Sequence, residues 1–417
     1  MKLLGTLHLP GDKSLSHRSL MFASLARGVS KISNLGSGKD VESTANVLRQ
    51  LGVKIEITNG RATVHGDLLQ VPQNQLNCGN SGTTARLLMG LLAGQGISAE
   101  FTGDESLSSR PMGRVIKPLE KFGAKFELIN DRLPVKLSAS LLKGANYKLP
   151  IASAQVKSAL ILAALGAKGS SIITDPFQTR NHTENLLISM GANISVQGID
   201  IFVDSLQNPL SPIEWEVPAD PSSVAFFAAA ALAVKSSCVK FKNVLMNNTR
   251  TGFLDVLEQA GADYRRSNPR FIYGEEICDL SIHSSDLLGV SIHNSLVPSL
   301  VDEIPILAVL ATQMNGRTIV RGAQELRVKE CDRLRAIVDN LRALGVSIQE
   351  FEDGFELEGP QVISGGKVKC YHDHRIAMAF AVANLLSKEE VSLDQPECAA
   401  ISLPEFYELL ESLKFYN

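Results

Sequence analysis

The feature that most constrains this chain is a period. Six stretches rich in alanine and leucine, each opened by a polar or charged cluster, begin near Lys13, Ser81, Ala154, Pro221, Asp302 and Asp373. Their spacings are 68, 73, 67, 81 and 71 residues, close to the roughly 70 that six equal units would occupy. A second marker runs between them, an amphipathic helix ending in an apolar residue, then glycine, then valine or alanine. It stands at Leu51-Gly52-Val53, Phe122-Gly123-Ala124, Met190-Gly191-Ala192, Ala260-Gly261-Ala262 and Leu344-Gly345-Val346. Each glycine sits where a helix needs a left-handed C-terminal residue, and the segments that follow, such as 53–57 and 192–196, alternate as strands do.

Each unit therefore reads as strand, buried helix, strand, amphipathic helix, strand, strand. The chain is predicted to be α/β (α+β), with three units in each of two domains. One domain spans 12–217. The other joins 1–11 to 218–417, with residues 3–9 pairing with strands of the C-terminal half. The break is placed near Pro218, where the third unit's last strand, 213–217, meets the fourth unit's opening cluster. An active site is expected in the cleft between the domains.

Bulk properties narrow the function. A chain of 417 residues that is 44% hydrophobic and 20% charged can bury large cores. Its net charge of −3 gives no general attraction to nucleic acid or anionic lipid, so neither partner is expected and anion binding needs a local cluster of cations. Six cysteines lie scattered without CxxC spacing, which argues against zinc or a disulfide framework and for a reducing cytoplasm. No signal peptide or membrane span is predicted.

A helix that is apolar nearly all round must be buried, and its N-terminal N–H groups then offer an anion seat. One such end favours an anion by only about 0.3–1 kcal/mol, so a tight site needs real cations beside it. The opening clusters supply them. Lys13-Ser14 with Arg18, the run Asn80-Ser81-Gly82-Thr83 to Arg86, Arg110-Pro111, the run Ser153-Ala154-Gln155 to Lys157-Ser158, Arg180-Asn181-His182-Thr183-Glu184, Asp302-Glu303, Arg327 to Arg333 and Asp373-His374-Arg375 all stand at predicted helix starts. In the 327–333 run, Lys329 and Glu330 lie four and three residues before Arg333, a spacing that predicts acid and cation on one helical face. The His372-x-His374 pair has no third ligand beside it, so no metal is predicted.

These segments resemble those of 5-enolpyruvylshikimate-3-phosphate synthases along the whole chain, and the 180–184 and 247–250 segments resemble the class II branch. The resemblance implies a two-domain inside-out α/β barrel of six βαβαββ repeats. It also implies transfer of the enolpyruvyl group of phosphoenolpyruvate to the 5-hydroxyl of shikimate 3-phosphate, on the route to chorismate, by a monomer without cofactor. It assigns Asp302 to the 5-hydroxyl, and the proton transfers that this reaction needs at the enolpyruvyl carbons add Glu330 and Lys13 as catalytic residues. Shikimate 3-phosphate would be held by Lys13, Ser14, Arg18, Ser153, Gln155, Arg180, Asp302 and Lys329. Phosphoenolpyruvate would be held by Lys13, Gly82, Arg110, Gln155, Arg333 and Arg375.

The chain departs from the pattern at Ile401, where many such synthases carry a lysine that contacts phosphate. Two other readings share the repeats. One is transfer of the same group to UDP-N-acetylglucosamine, whose usual marks are an opening Lys-Asn pair and a mobile-loop cysteine; here the pair is Lys13-Ser14 and 103–111 holds no cysteine. The other is a non-catalytic anion-binding scaffold, which would have no use for Asp302 and Glu330 beside the cations.

Overall fold

The computed structural model describes residues 1–416. The chain divides into two compact units, one from Gly11 to Val217 and one joining Met1–Pro10 to the chain from Pro218 onward. The six Ala/Leu-rich stretches are helices, α1 (Lys13–Leu25), α2 (Gly82–Gly94), α3 (Ala154–Leu165), α4 (Pro221–Ala233), α5 (Ile304–Ala311) and α6 (His374–Leu386). Every residue of α5 is buried, as is every residue of α3 from Val156 to Leu165. Strands alternate instead, Arg132–Ser138 strictly so, with one face on the core and one in solvent. Helices are thus inside and sheets outside.

Three repeats share one sheet order. In the second, Leu76–Asn77 pairs in parallel with Ala99–Thr102, and the antiparallel hairpin of Lys125–Ile129 and Arg132–Ser138 completes the sheet. The third repeats this with Asn146–Lys148, Ser171–Thr174, Ile194–Gln197 and Asp200–Val203. The fifth uses Ser291–Ile292, Gly316–Val320, Gln349–Phe351 and Gly354–Gly359. A parallel first pair needs a crossover, and the buried helix is that crossover.

The first and fourth repeats take their opening strand from elsewhere. Glu214–Glu216 pairs in parallel with Gly28–Ser33 of the first repeat. The expectation that 213–217 is the third repeat's last strand is therefore corrected: that sheet already has its hairpin, whereas the first repeat lacks a parallel partner. Likewise Lys2–Leu7 runs parallel to Cys238–Leu245 of the fourth repeat, with Lys414–Phe415 antiparallel on its other edge. The sixth repeat's own sheet is the parallel pair Gly366–Val368 and Val391–Leu393.

Gly52, Gly123, Gly191, Gly261 and Gly345 adopt φ of +80° to +97° at the ends of their amphipathic helices, as a left-handed cap requires. A different need fixes Gly90. A Cβ there would lie 2.1 Å from the carbonyl oxygen of Ala159, so α2 and α3 touch backbone to backbone. Gly90→Val is expected to force these helices apart at a cost of about 1–3 kcal/mol, read as a lower midpoint in urea denaturation followed by circular dichroism.

Candidate active site

In the unit from Gly11 to Val217, Asp12 caps α1 by accepting from the Leu15 N–H at 2.7 Å. Lys13 is not left to solvent, because its ammonium pairs with Asp40. Arg18 is buried, and its guanidinium donates to Thr183 Oγ1 at 2.8 Å, to Ser158 Oγ at 2.8 Å and to the Ser14 carbonyl at 3.0 Å. Lys13, Ser14 and Arg18 therefore share the first turns of one helix, and hydroxyls from two other segments aim the arginine.

A second cluster surrounds the start of α2. Ser81 caps it, accepting from the Thr84 N–H at 3.1 Å. A Cβ on Gly82 would stand 3.0 Å from Arg86 Nη1 and 3.5 Å from Arg110 Nη1, so two guanidiniums flank a bare backbone. Arg110 donates to Asn80 Oδ1 at 2.6 Å, and Arg86 to Gln155 Oε1 at 2.6 Å. Gln155 in turn donates to Thr83 Oγ1 at 3.0 Å, which ties the starts of α2 and α3. Ser153 is the α3 cap, accepting from the Val156 N–H at 3.4 Å. Arg180 is half-buried in the turn before the helix His182–Ser189.

The other unit gathers the carboxylates around Arg333, which is 1% exposed. Its guanidinium donates to Asp373 at 2.7 Å, Glu330 at 2.6 Å and Asp302 at 3.3 Å. Burial alone would depress its pKa, but Asp373, Glu330 and Asp302 together outweigh that and push it up, so it stays charged. Arg375 lies 3.6 Å from the Asp302 carboxylate and donates to the Asp302 carbonyl at 3.0 Å. Lys329 has its pKa lowered by desolvation, against the pull of Asp302.

The 327–333 run is not one helical face. Residues Gln324–Val328 form a 3-10 turn, and the helix Arg333–Ala343 begins only after Asp332, whose carboxylate caps it at 3.0 Å from the Arg335 N–H. The Glu330 to Arg333 contact forms across that junction instead. Ile401 lies in the turn Pro396–Ile401 and packs on the buried cluster of Cys370, Ala377 and Cys398. His372 is exposed while His374 is buried, and no group of three potential metal ligands occurs among the described residues.

Arg86, Ser158, Thr183 and Lys157 join these clusters although none carries a predicted role. A cation or hydroxyl on a helix otherwise made of Leu, Ile and Ala was the signal, since such a group needs a partner once buried.

Guanidiniums gathered at helix starts in one unit, and a guanidinium held among three carboxylates in the other, define a protein built to bind small anions beside groups able to move protons. The model of the family described as EPSP synthase (3-phosphoshikimate 1-carboxyvinyltransferase) matches residues 1–410. A 3-phosphoshikimate 1-carboxyvinyltransferase of Persephonella marina is 45% identical, with 99% of this chain and 97% of the relative covered. One of Streptococcus gordonii is 44% identical, with 99% and 97% covered. The solved EPSP synthase of Acinetobacter baumannii superposes with a TM-score of 0.88 at 38% identity, covering 99% of this chain and 96% of that one. The chain belongs to the EPSP synthase family.

Behind these clusters lies a fully buried histidine. His17 Nδ1 sits 2.6 Å from Thr44 Oγ1, which continues to Thr84 and Ser81 at 2.6 and 2.7 Å. Burial, then Lys13 and Arg18, push its pKa well below the ordinary value. The unfolded chain takes up a proton at this histidine below ~6.5 and the folded one does not, so stability falls as pH drops through that value, by up to about 1.4 kcal/mol per unit. His17→Gln is expected to flatten that part of the dependence when urea midpoints at pH 7.5 and 5.5 are compared.

Proposed function

We propose that this chain transfers the enolpyruvyl group of phosphoenolpyruvate to the 5-hydroxyl of shikimate 3-phosphate and releases phosphate. The membership of its family carries the reaction. The observation that carries the site is Asp302, a carboxylate held 3.3 Å from the Arg333 guanidinium and 3.6 Å from that of Arg375.

In this reading Asp302 accepts the proton of the 5-hydroxyl while that oxygen bonds to C2 of phosphoenolpyruvate. C3 takes a proton from Glu330 or Lys13. The tetrahedral intermediate then loses phosphate and a C3 proton, restoring the vinyl group. General acid–base help of this kind contributes about 10²–10⁴-fold.

The substrates bring two phosphates and two carboxylates, and the named cations and polar groups are shared between them. Lys13, Ser14, Arg18, Ser153, Gln155, Arg180 and Lys329 would hold shikimate 3-phosphate. Lys13, Gly82, Arg110, Gln155, Arg333 and Arg375 would hold phosphoenolpyruvate. The pair of guanidiniums beside Gly82 supports the second assignment, because two like charges at one helix start are stabilised by an anion between them.

We read the enzyme as a monomer of the cytoplasm. Both clusters come from one chain, and all six cysteines are free thiols, which suits a reducing compartment. No helix among the described residues is long and apolar enough to cross a membrane. The net charge of −3 supports small anions over nucleic acid as partners.

Asp302→Ala is expected to lower turnover by about 10²–10⁴-fold in a phosphate-release assay while shikimate 3-phosphate still binds in calorimetry. Near-normal turnover would remove Asp302 from catalysis.

A further inference from the structure

We propose that Lys157 is a positioning residue for the substrate phosphate, acting through Arg180 and Arg18. The inference rests on the reading above, in which those two arginines hold shikimate 3-phosphate.

Lys157 lies in the first turn of α3 and is 2% exposed. A cation there opposes the helix dipole, so helix stability does not explain it. Its ammonium has three acceptors, one for each N–H: the Thr179 carbonyl at 2.8 Å, Asp175 at 3.0 Å and Glu184 at 2.8 Å. Desolvating such a group leaves a buried ion pair near neutral, or unfavourable, for stability. Its effect is better sought in the geometry it imposes.

That geometry is local and complete. Asp175 organises the turn that leads to Arg180, accepting from the Phe177 N–H at 3.1 Å and from the Thr179 N–H and hydroxyl at 2.8 and 2.7 Å. Glu184 sits in the first turn of the following helix. Lys157 therefore clamps both flanks of Arg180. The next residue on each side makes a parallel tie, since Ser158 Oγ lies 2.7 Å from Thr183 Oγ1 and both hydroxyls accept from Arg18.

Charge leads to the same assignment. Two carboxylates stand buried beside the turn, and Glu184 Oε2 has no partner of its own. One ammonium partly offsets them. Without it, both would repel an incoming phosphate and the Arg180 turn would lose its anchor. The loss should fall on the phosphate of the substrate and spare its ring.

The test compares two ligands, shikimate 3-phosphate and unphosphorylated shikimate, titrated by calorimetry into the wild type, Lys157→Met and Asp175→Ala. Asp175→Ala leaves Lys157 paired with Glu184 and keeps the core nearly neutral, so it serves if Lys157→Met does not accumulate folded. For the wild type, the phosphorylated ligand should bind far more tightly; failure of that preference would count against the proposed function itself. For Lys157→Met we expect the affinity for shikimate 3-phosphate to fall about 10–100-fold while that for shikimate changes less than about 3-fold. Asp175→Ala removes one repelling charge but also the acceptor that organises the Arg180 turn, so it should show the same selectivity with a smaller loss, about 3–10-fold. Equal weakening of both ligands, or no weakening of either, in whichever variant folds would overturn the positioning role.

Discussion

The structure depends on what satisfies the first-turn N–H groups of a helix that has no exposed side. Five of the six buried helices solve this with a side-chain cap, from Asp12, Ser81, Ser153, Asp220 and Asp373. The exception is α5, which has no side-chain cap although two acids precede it. Asp302 turns to Arg333 and Arg375, and Glu303 accepts from Ser222, which also binds Arg250. Both carboxylates are good caps by chemistry, so their diversion costs the helix a capping bond. The helix start left uncapped is the one whose carboxylate the proposed reaction needs.

The repeats carry a further device. In each of the first five, the start of the second helix reaches back to the start of the buried one. Asp40 meets Lys13, Arg110 meets Asn80, Thr183 and Glu184 meet Ser158 and Lys157, Arg250 meets Asp220, and Arg333 meets Asp302. The contact recurs while its sign and chemistry change. Fold sets where the pair stands, and residue identity sets whether the place binds an anion, holds a base or only locks the repeat.

That split decides what was legible in the sequence. The buried helices and their glycine ends rest on local periodicity and local sterics, and all six helix starts fall within two residues of the expected positions. The strand exchange is not local: the pairing of the first strand with the C-terminal half was expected and is met by Lys2–Leu7, but Glu214–Glu216 looks like an ordinary short strand and its partner lies far along the chain. The misread face at 329–333 had a local signal, Asp332 as a cap, overshadowed by charge spacing that holds only inside a helix. Roles such as those of Asp302 and Arg375 needed the family resemblance, since charge at a helix start alone is also what a plain cap looks like. Lys157 and Arg86 stood in the opening clusters but drew no role, because the hydrophobic run around them reads as core.

The same split between fold and residue identity recurs at Ile401. Its partly buried side chain packs on Cys370, Ala377 and Cys398, a contact that a lysine could keep with its methylene stem alone. The place of that lysine's charge in the proposed reading falls to the two guanidiniums beside Gly82, Arg86 and Arg110. Each is already braced by an amide, Gln155 for Arg86 and Asn80 for Arg110. A planar fork fixed in this way loses less side-chain freedom on meeting an oxyanion than a flexible lysine would. In the proposed reading the charge would thus come from preorganised arginines, which a change at Gln155 or Asn80 would loosen without altering any charge.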